Sequence, residues 1–95
     1  MVVHFVSFKY RADVDDATRV RHRERLAALR NLDGVLELKV GADFVRSARS
    51  YDTGLLVTFR DRAGLESYQK NDRHIPVAQD GASLSDHIVA VDFET

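Results

Sequence analysis

The 95-residue sequence contains no cysteine, one proline and five glycines. Without cysteine, the chain can form no disulfide, thiolate nucleophile or cysteine-based metal site. No apolar run approaches the roughly 20 residues needed to cross a bilayer, and the alternating N-terminus is not typical of a signal peptide. We therefore expect a single cytoplasmic domain over residues 1–95, with no membrane partner.

The sequence also has no excess of either charge, since it contains 14 Lys and Arg and 15 Asp and Glu, for a net charge of −1. This balance gives no long-range attraction toward nucleic acid or anionic lipid. Four arginines do follow at two-residue steps, at Arg19, Arg21, Arg23 and Arg25. On a helix this spacing divides them between two sides. We expect a solvated helix face and no nucleic-acid partner.

Four segments have the composition of strands: residues 2–10, 35–41, 51–60 and 86–93. Residues 2–10 and 86–93 carry apolar side chains on both faces. In residues 35–41, Leu36, Leu38 and Val40 share one face and polar side chains the other, which is typical of a strand at a sheet edge.

Two segments are predicted to be helical. Residues 14–31 begin with acidic and end with basic residues, as the helix dipole favours, and place His22, Leu26 and Leu29 on one side. Asp61 is a suitable N-cap for a helix over residues 62–70, and Asn71-Asp72 predicts a break. Pro76 could begin a further short helical turn that Gly81 would end.

The order strand–helix–strand–strand–helix–strand predicts an α+β, ferredoxin-like βαββαβ fold with a four-stranded antiparallel sheet. Two helices can cover only one face of such a sheet. Because an open apolar face is larger than a monomer usually tolerates, we expect a second copy of the chain to cover it. We therefore predict that two copies form a homodimer through the sheet face, which gives a dimeric α/β barrel.

Several segments, taken in order, also resemble one family. They are residues 4–9 (HFVSFK), 34–41 (GVLELKVG), 51–52 (YD) running into 57–59 (VTF), Tyr68 with His74 six residues later, and 91–94 (VDFE). Together the segments resemble the stress-responsive A/B-barrel, or Dabb, domains. The resemblance implies two four-stranded sheets packed face to face across a dimer.

The family includes olivetolic acid cyclase, a plant polyketide cyclase. The resemblance implies that Tyr68 and His74 correspond to its catalytic pair and His4 to a histidine of its pocket. The sequence departs from that enzyme at Gly54, where the enzyme has a pocket histidine. It also has Asn-Asp-Arg-His at residues 71–74 where the family often has His-Pro-Ala-His.

The residue types at these positions suit acid–base chemistry. His74 can exchange a proton near neutral pH, and the Tyr68 phenol can hold an enolate oxygen. Six residues of one continuous helix leave two side chains about 120° apart, so the pair converges only if the helix ends between them. The other interpretation is a packed tyrosine, a surface histidine and a hydrogen-bonded core histidine at position 4.

Three functions stay open at this point. The first is a cofactor-free cyclase-like enzyme for a small hydrophobic or polyketide-like ligand, bound between sheet and helices by His4, Val6, Phe8 and Leu65. The second is a non-catalytic, stress-responsive homodimer, and the third a cofactorless monooxygenase, for which no motif is present. The four histidines show no metal-ligand spacing, so we expect neither metal nor cofactor.

Overall fold

The computed structural model describes all 95 residues as seven main elements. They are β1 (Val2–Tyr10), α1 (Asp16–Ala27), β2 (Val35–Ala42), β3 (Thr53–Phe59), α2 (Arg62–Lys70), α3 (His74–Leu84) and β4 (Ser85–Glu94). A 3-10 turn, Ala28–Asn31, follows α1. The predicted order of strands and helices is confirmed, and α3 is a full helix where only a short turn was predicted.

The four strands form one antiparallel sheet in the order β2-β3-β1-β4, so β2 and β4 are its edges. This is the predicted ferredoxin-like α+β fold. In the register of the central strand β1, His4 lies beside Val57 of β3 and Asp92 of β4. Side chains at paired positions point to the same face, so these three residues face the same layer.

The helices cover one face of the sheet, and the core lies between them. The sheet contributes alternate residues of β1 and β3. The predicted stripe of His22, Leu26 and Leu29 is buried against them, with His22 and Leu26 from α1 and Leu29 from the 3-10 turn. The Asp15 side chain caps α1 by accepting from the Thr18 backbone N–H at 2.8 Å. Asp61 caps α2 in the same way, accepting from the Gly64 N–H at 2.9 Å.

Four details of the sequence prediction are wrong. The helix predicted over residues 14–31 is α-helical only from Asp16 to Ala27, and the third strand starts at Thr53 instead of residue 51. Leu36 does not share a buried face with Leu38, because a bulge between Val35 and Glu37 leaves it exposed. Gly81 does not end a helix.

Gly81 lies inside α3, at a position where close packing against Phe8 and His22 requires a glycine. A Cβ at this position would come within 2.9 Å of the Phe8 ring and 3.3 Å of Nε2 of His22. Glycine therefore lets α3 approach the sheet and α1 closely, at the usual cost of glycine inside a helix.

The opposite face of the sheet is covered by no element of the chain. Three cross-strand rows carry its centre: Thr58, Val3 and Phe93; Leu56, Phe5 and Val91; and Gly54, Ser7 and Val89. We call this surface the open face. Phe5 and Val91 in its middle row are 41% and 59% exposed. None of the three helices is long and apolar enough to span a membrane.

Candidate functional site

Tyr68 and His74 are brought together by a break between two helices. Tyr68 lies in the last turn of α2, and His74 is the first residue of α3. Asn71 organises the three residues between the two helices: its backbone carbonyl accepts from the His74 N–H at 2.9 Å, and its side chain accepts from the Arg73 N–H at 2.8 Å. The predicted break at Asn71 thus lets two side chains converge that one continuous helix would hold apart.

The two rings are in contact under the helices. Their centroids are 4.3 Å apart, and Tyr68 is only 1% exposed. The Tyr68 hydroxyl and Nδ1 of His74 are both buried, and neither has a hydrogen-bond partner. Two unpartnered polar atoms on touching rings are uncommon, because buried polar groups are nearly always hydrogen-bonded.

His4 lies beside these two rings, and we call the three side chains the Tyr68–His74 cluster. Its ring lies 6.0 Å from that of Tyr68, edge to face, and its Nδ1 is hydrogen-bonded to Oδ1 of Asp92. The carboxylate fixes the orientation of the imidazole and accepts its Nδ1 hydrogen, which leaves Nε2 as the free ring nitrogen. Sequence reasoning did not find Asp92, which reaches His4 only through the β1–β4 register.

Burial keeps the pair in its neutral forms. It raises the pKa of Tyr68 to about 12, so that the phenol remains a hydrogen-bond donor. It also lowers the pKa of His74 below its ordinary value; His4 acts in the same direction, while the nearby Gln69 carbonyl opposes it. A neutral imidazole beside a neutral phenol is the combination that proton abstraction and oxyanion stabilisation require.

The other predicted pocket residues divide between two places. Val6 lies beside His4 on the same face of β1, and Leu65 packs at the margin of the core. Phe8 lies further along β1, against His22, with ring centroids 4.9 Å apart. Gly54 belongs to the open face, so its difference from the cyclase histidine does not reshape the Tyr68–His74 cluster.

Open clefts lie elsewhere on the molecule. One of about 590 Å³ is on the open face, where Gly41 pairs with Gly54 and Phe5, Tyr51 and Leu56 form part of the walls. A cleft of about 280 Å³ lies between α1 and α3, and one of about 340 Å³ lies beside Arg25 and Pro76. Tyr68 and His74 line none of these three, and no three His, Asp or Glu side chains are grouped as metal ligands.

Sequence comparison agrees with the fold. The profile of the Stress responsive A/B Barrel Domain matches residues 2–95. The chain belongs to the stress-responsive A/B barrel family. No curated protein matches the sequence significantly.

Solved structures share this A/B barrel fold over almost the whole chain. A dimeric ferredoxin-like protein from Thermobifida fusca is 21% identical, with 99% of this chain and 90% of that chain covered and a TM-score of 0.90. A dimeric ferredoxin-like protein from Jannaschia is 26% identical, with coverages of 99% and 98% and a TM-score of 0.80. Hydroxynitrile lyase from Passiflora edulis is 18% identical, with coverages of 97% and 90% and a TM-score of 0.87.

Proposed function

We propose that this protein is a homodimeric, cofactor-free enzyme in which Tyr68 and His74 act on a carbon next to a carbonyl group. The substrate class is a small hydrophobic, polyketide-like molecule, and the reaction is an aldol-type cyclisation. One observation carries the proposal: the Tyr68 hydroxyl and the His74 Nδ1 are buried on touching rings without partners. Each such atom costs about 1–3 kcal/mol of folding free energy, which a purely structural pair would not need.

The chemistry follows from the neutral states of the two rings. The neutral His74 removes a proton from the carbon next to a carbonyl and becomes imidazolium. Tyr68 donates a hydrogen bond to the resulting enolate oxygen, where the charge develops. The enolate carbon then forms a bond to a second carbonyl carbon of the same molecule. The new alkoxide takes the proton back from His74, which gives a cyclic β-hydroxy ketone without any external reactant. This product becomes aromatic by losing its hydroxyl group and a neighbouring hydrogen as water to the solvent.

His4 and Asp92 support the same site. The Asp92 carboxylate holds His4 in one orientation, with Nε2 available to a ligand. We propose that His4, Val6 and Leu65 bind the substrate, with His4 as the polar group among them; the Phe8 ring packs against His22 instead. One fold neighbour, the Passiflora edulis protein, is itself a lyase, which is compatible with an enzyme on this fold.

The homodimer is proposed because the open face exposes apolar side chains. Its middle row places Leu56, Phe5 and Val91 side by side, and charged residues such as Lys39 and Lys9 lie toward its margins. An apolar centre with a polar rim is the arrangement of protein interfaces. Burial of several hundred Å² at about 25 cal/mol per Å² favours association by on the order of 10 kcal/mol before association costs. The Thermobifida fusca and Jannaschia relatives are described as dimeric.

The dimer is tested with two matched valines. Val91 lies on the open face and is 59% exposed, while Val20 lies on α1 and is 48% exposed. Val91→Lys should shift sedimentation from twice the mass of one chain toward the mass of a monomer, and Val20→Lys should leave it unchanged. A wild-type protein that sediments as a monomer at nanomolar concentration would remove the homodimer.

The catalytic proposal is tested with a linear poly-β-ketone thioester as substrate. Chromatography separates the aromatic aldol product from the pyrone that forms spontaneously. His74→Ala should abolish formation of the aromatic product while far-UV circular dichroism and dimer mass stay unchanged. His87→Ala is the control, since His87 is an exposed histidine of β4. Equal product from His74→Ala and wild type, or none from wild type, contradicts the assignment.

A second candidate is a non-catalytic homodimer with a protective role. The observation that favours it is the closure of the cluster: Tyr68 is 1% exposed and lines none of the three clefts. This function requires that Tyr68→Phe and His74→Ala change stability only. The product assay above separates it from the enzyme.

A further inference from the structure

A second buried polar cluster lies at the other end of β1. The Tyr10 hydroxyl is hydrogen-bonded to Nδ1 of His22 at 2.7 Å and to the Thr53 hydroxyl at 2.9 Å. Arg23 completes it by donating to the same Thr53 oxygen at 3.1 Å. Tyr10 is six residues from His4, about 20 Å along an extended strand, so the cluster is separate from the Tyr68–His74 pair.

The remaining nitrogen of His22 has no partner. His22 is 2% exposed, and its Nε2 is buried without a hydrogen bond. Since Nδ1 bonds to Tyr10 on the sheet, Nε2 points away from the sheet, toward α3. Gly81 of α3 leaves space there, because a Cβ would lie 3.3 Å from Nε2. An apolar side chain at position 22 would fill the stripe of α1 without this unsatisfied atom.

The cleft between α1 and α3 has His22 in its lining. It encloses about 280 Å³, and its other lining residues are Thr18, Arg21, Arg25, Asp80, Ser83 and Leu84. Arg25 is paired with Asp80, while Arg21 donates only to the Thr18 hydroxyl, at 3.2 Å. Among the lining residues two guanidinium groups face one carboxylate, so Arg21 has no ion pair within the cleft. The carboxylate that acts on Arg21 is Asp15, at the start of α1 and outside the lining.

We propose that the cleft between α1 and α3 is a second ligand site, for a small carboxylic acid that carries a neighbouring hydroxyl or oxo group. The carboxylate binds the guanidinium of Arg21, whose planar fork matches it. The hydroxyl or oxo oxygen meets Nε2 of His22. The volume lies just below the range for drug-sized ligands and therefore suits a small acid.

The state of His22 agrees with this assignment. Burial lowers its pKa to about 4, so the imidazole is neutral at physiological pH and adds no charge. The carboxylate is thus attracted by arginine alone, and His22 supplies a neutral polar contact on the floor of the cleft. The site makes no use of Tyr68 or His74 and does not depend on the function proposed for them.

Sodium lactate is the probe for this site. It is titrated into wild-type protein at constant ionic strength, up to about 100 mM, far above a millimolar dissociation constant. Nuclear magnetic resonance follows the His22 ring nitrogens and the Thr18 and Ser83 amides. We expect saturable shifts confined to these groups. Arg21→Gln should weaken binding at least tenfold, and Arg49→Gln, in the exposed loop between β2 and β3, should leave it unchanged.

His22→Gln gives a second measurement, because glutamine retains a polar partner for Tyr10. It should weaken lactate binding while leaving the Tyr68 and His74 signals unchanged. The proposal fails if lactate produces no saturation, or if Arg21→Gln binds as well as wild type. Sulfate at equal ionic strength separates the ligand classes: the same saturating shifts with sulfate would show a general anion site and overturn the carboxylic acid assignment.

Discussion

Acid should destabilise this protein through His22 before it affects the carboxylates. The side chain is 2% exposed and lies between the Phe8 and Tyr10 rings, 4.9 and 5.5 Å away. Burial lowers its pKa from the ordinary 6.5 to about 4. Between these two values the unfolded chain binds a proton that the folded chain excludes, so stability falls as the pH falls from 6.5 to 4.

The size of the effect follows from the two pKa values. The interval from 6.5 to about 4, at about 1.4 kcal/mol for each pH unit, corresponds to about 3 kcal/mol of unfolding free energy. His74 acts in the same direction, since burial lowers its pKa as well. Asp52 has a lowered pKa too, and its contribution is lost only below its ordinary value of 3.8. Glu66, whose pKa is lowered by its hydrogen bond with Lys70, likewise loses its contribution only below its ordinary value of 4.5. The window above pH 4.5 therefore belongs to the histidines.

The assay is urea unfolding at several pH values between 7 and 4, followed by far-UV circular dichroism at one fixed protein concentration. We expect His22→Gln to lose about 3 kcal/mol less than wild type over this range, because glutamine cannot be protonated. His87→Gln, which removes an exposed histidine, should follow wild type. Equal pH dependence in His22→Gln and wild type would refute the reasoning.

Three further predictions concern single side chains. Tyr68→Phe removes a buried hydroxyl without a partner, so it should raise the unfolding free energy by about 1 kcal/mol while it abolishes product formation; lower stability in urea would contradict this. Gly81→Ala should destabilise by about 1–3 kcal/mol in the same assay, because its methyl group would overlap the Phe8 ring, and unchanged stability would show that α3 can shift. Asp61→Ala should cost about 1 kcal/mol, since it removes the N-cap of α2, and amide exchange should increase at Gly64; an unchanged exchange rate would argue against the cap.

Local signals in the sequence were enough to predict most of the helices and strands. Helix α2 runs from Arg62 to Lys70, the predicted bounds, because Asp61 caps its start and Asn71 follows its end. Both signals act within a few residues, so they can be read without knowledge of the fold. The open face was predicted in the same way, from apolar residues on both sides of β1 and β4.

Contacts between distant segments could not be predicted. Asp92 meets His4 because of the β1–β4 register, which joins residues 88 positions apart. Gly81 resembles a helix stop in the sequence, and only the approach of α3 to Phe8 gives it another role. Similarly, Asp52 is 5% exposed and accepts from the Tyr10 N–H at 2.8 Å, and β3 begins directly after it, two residues later than predicted.

The turn at Asn71 allows the spacing of the Tyr68–His74 pair to vary independently of the core. The two rings belong to different helices, and only residues 71–73 join them. Substitutions in this short linker can change the distance and angle between phenol and imidazole while both helices keep their packing on the sheet. For the proposed enzyme, changes at three consecutive positions would therefore fit the same scaffold to substrates of different shapes.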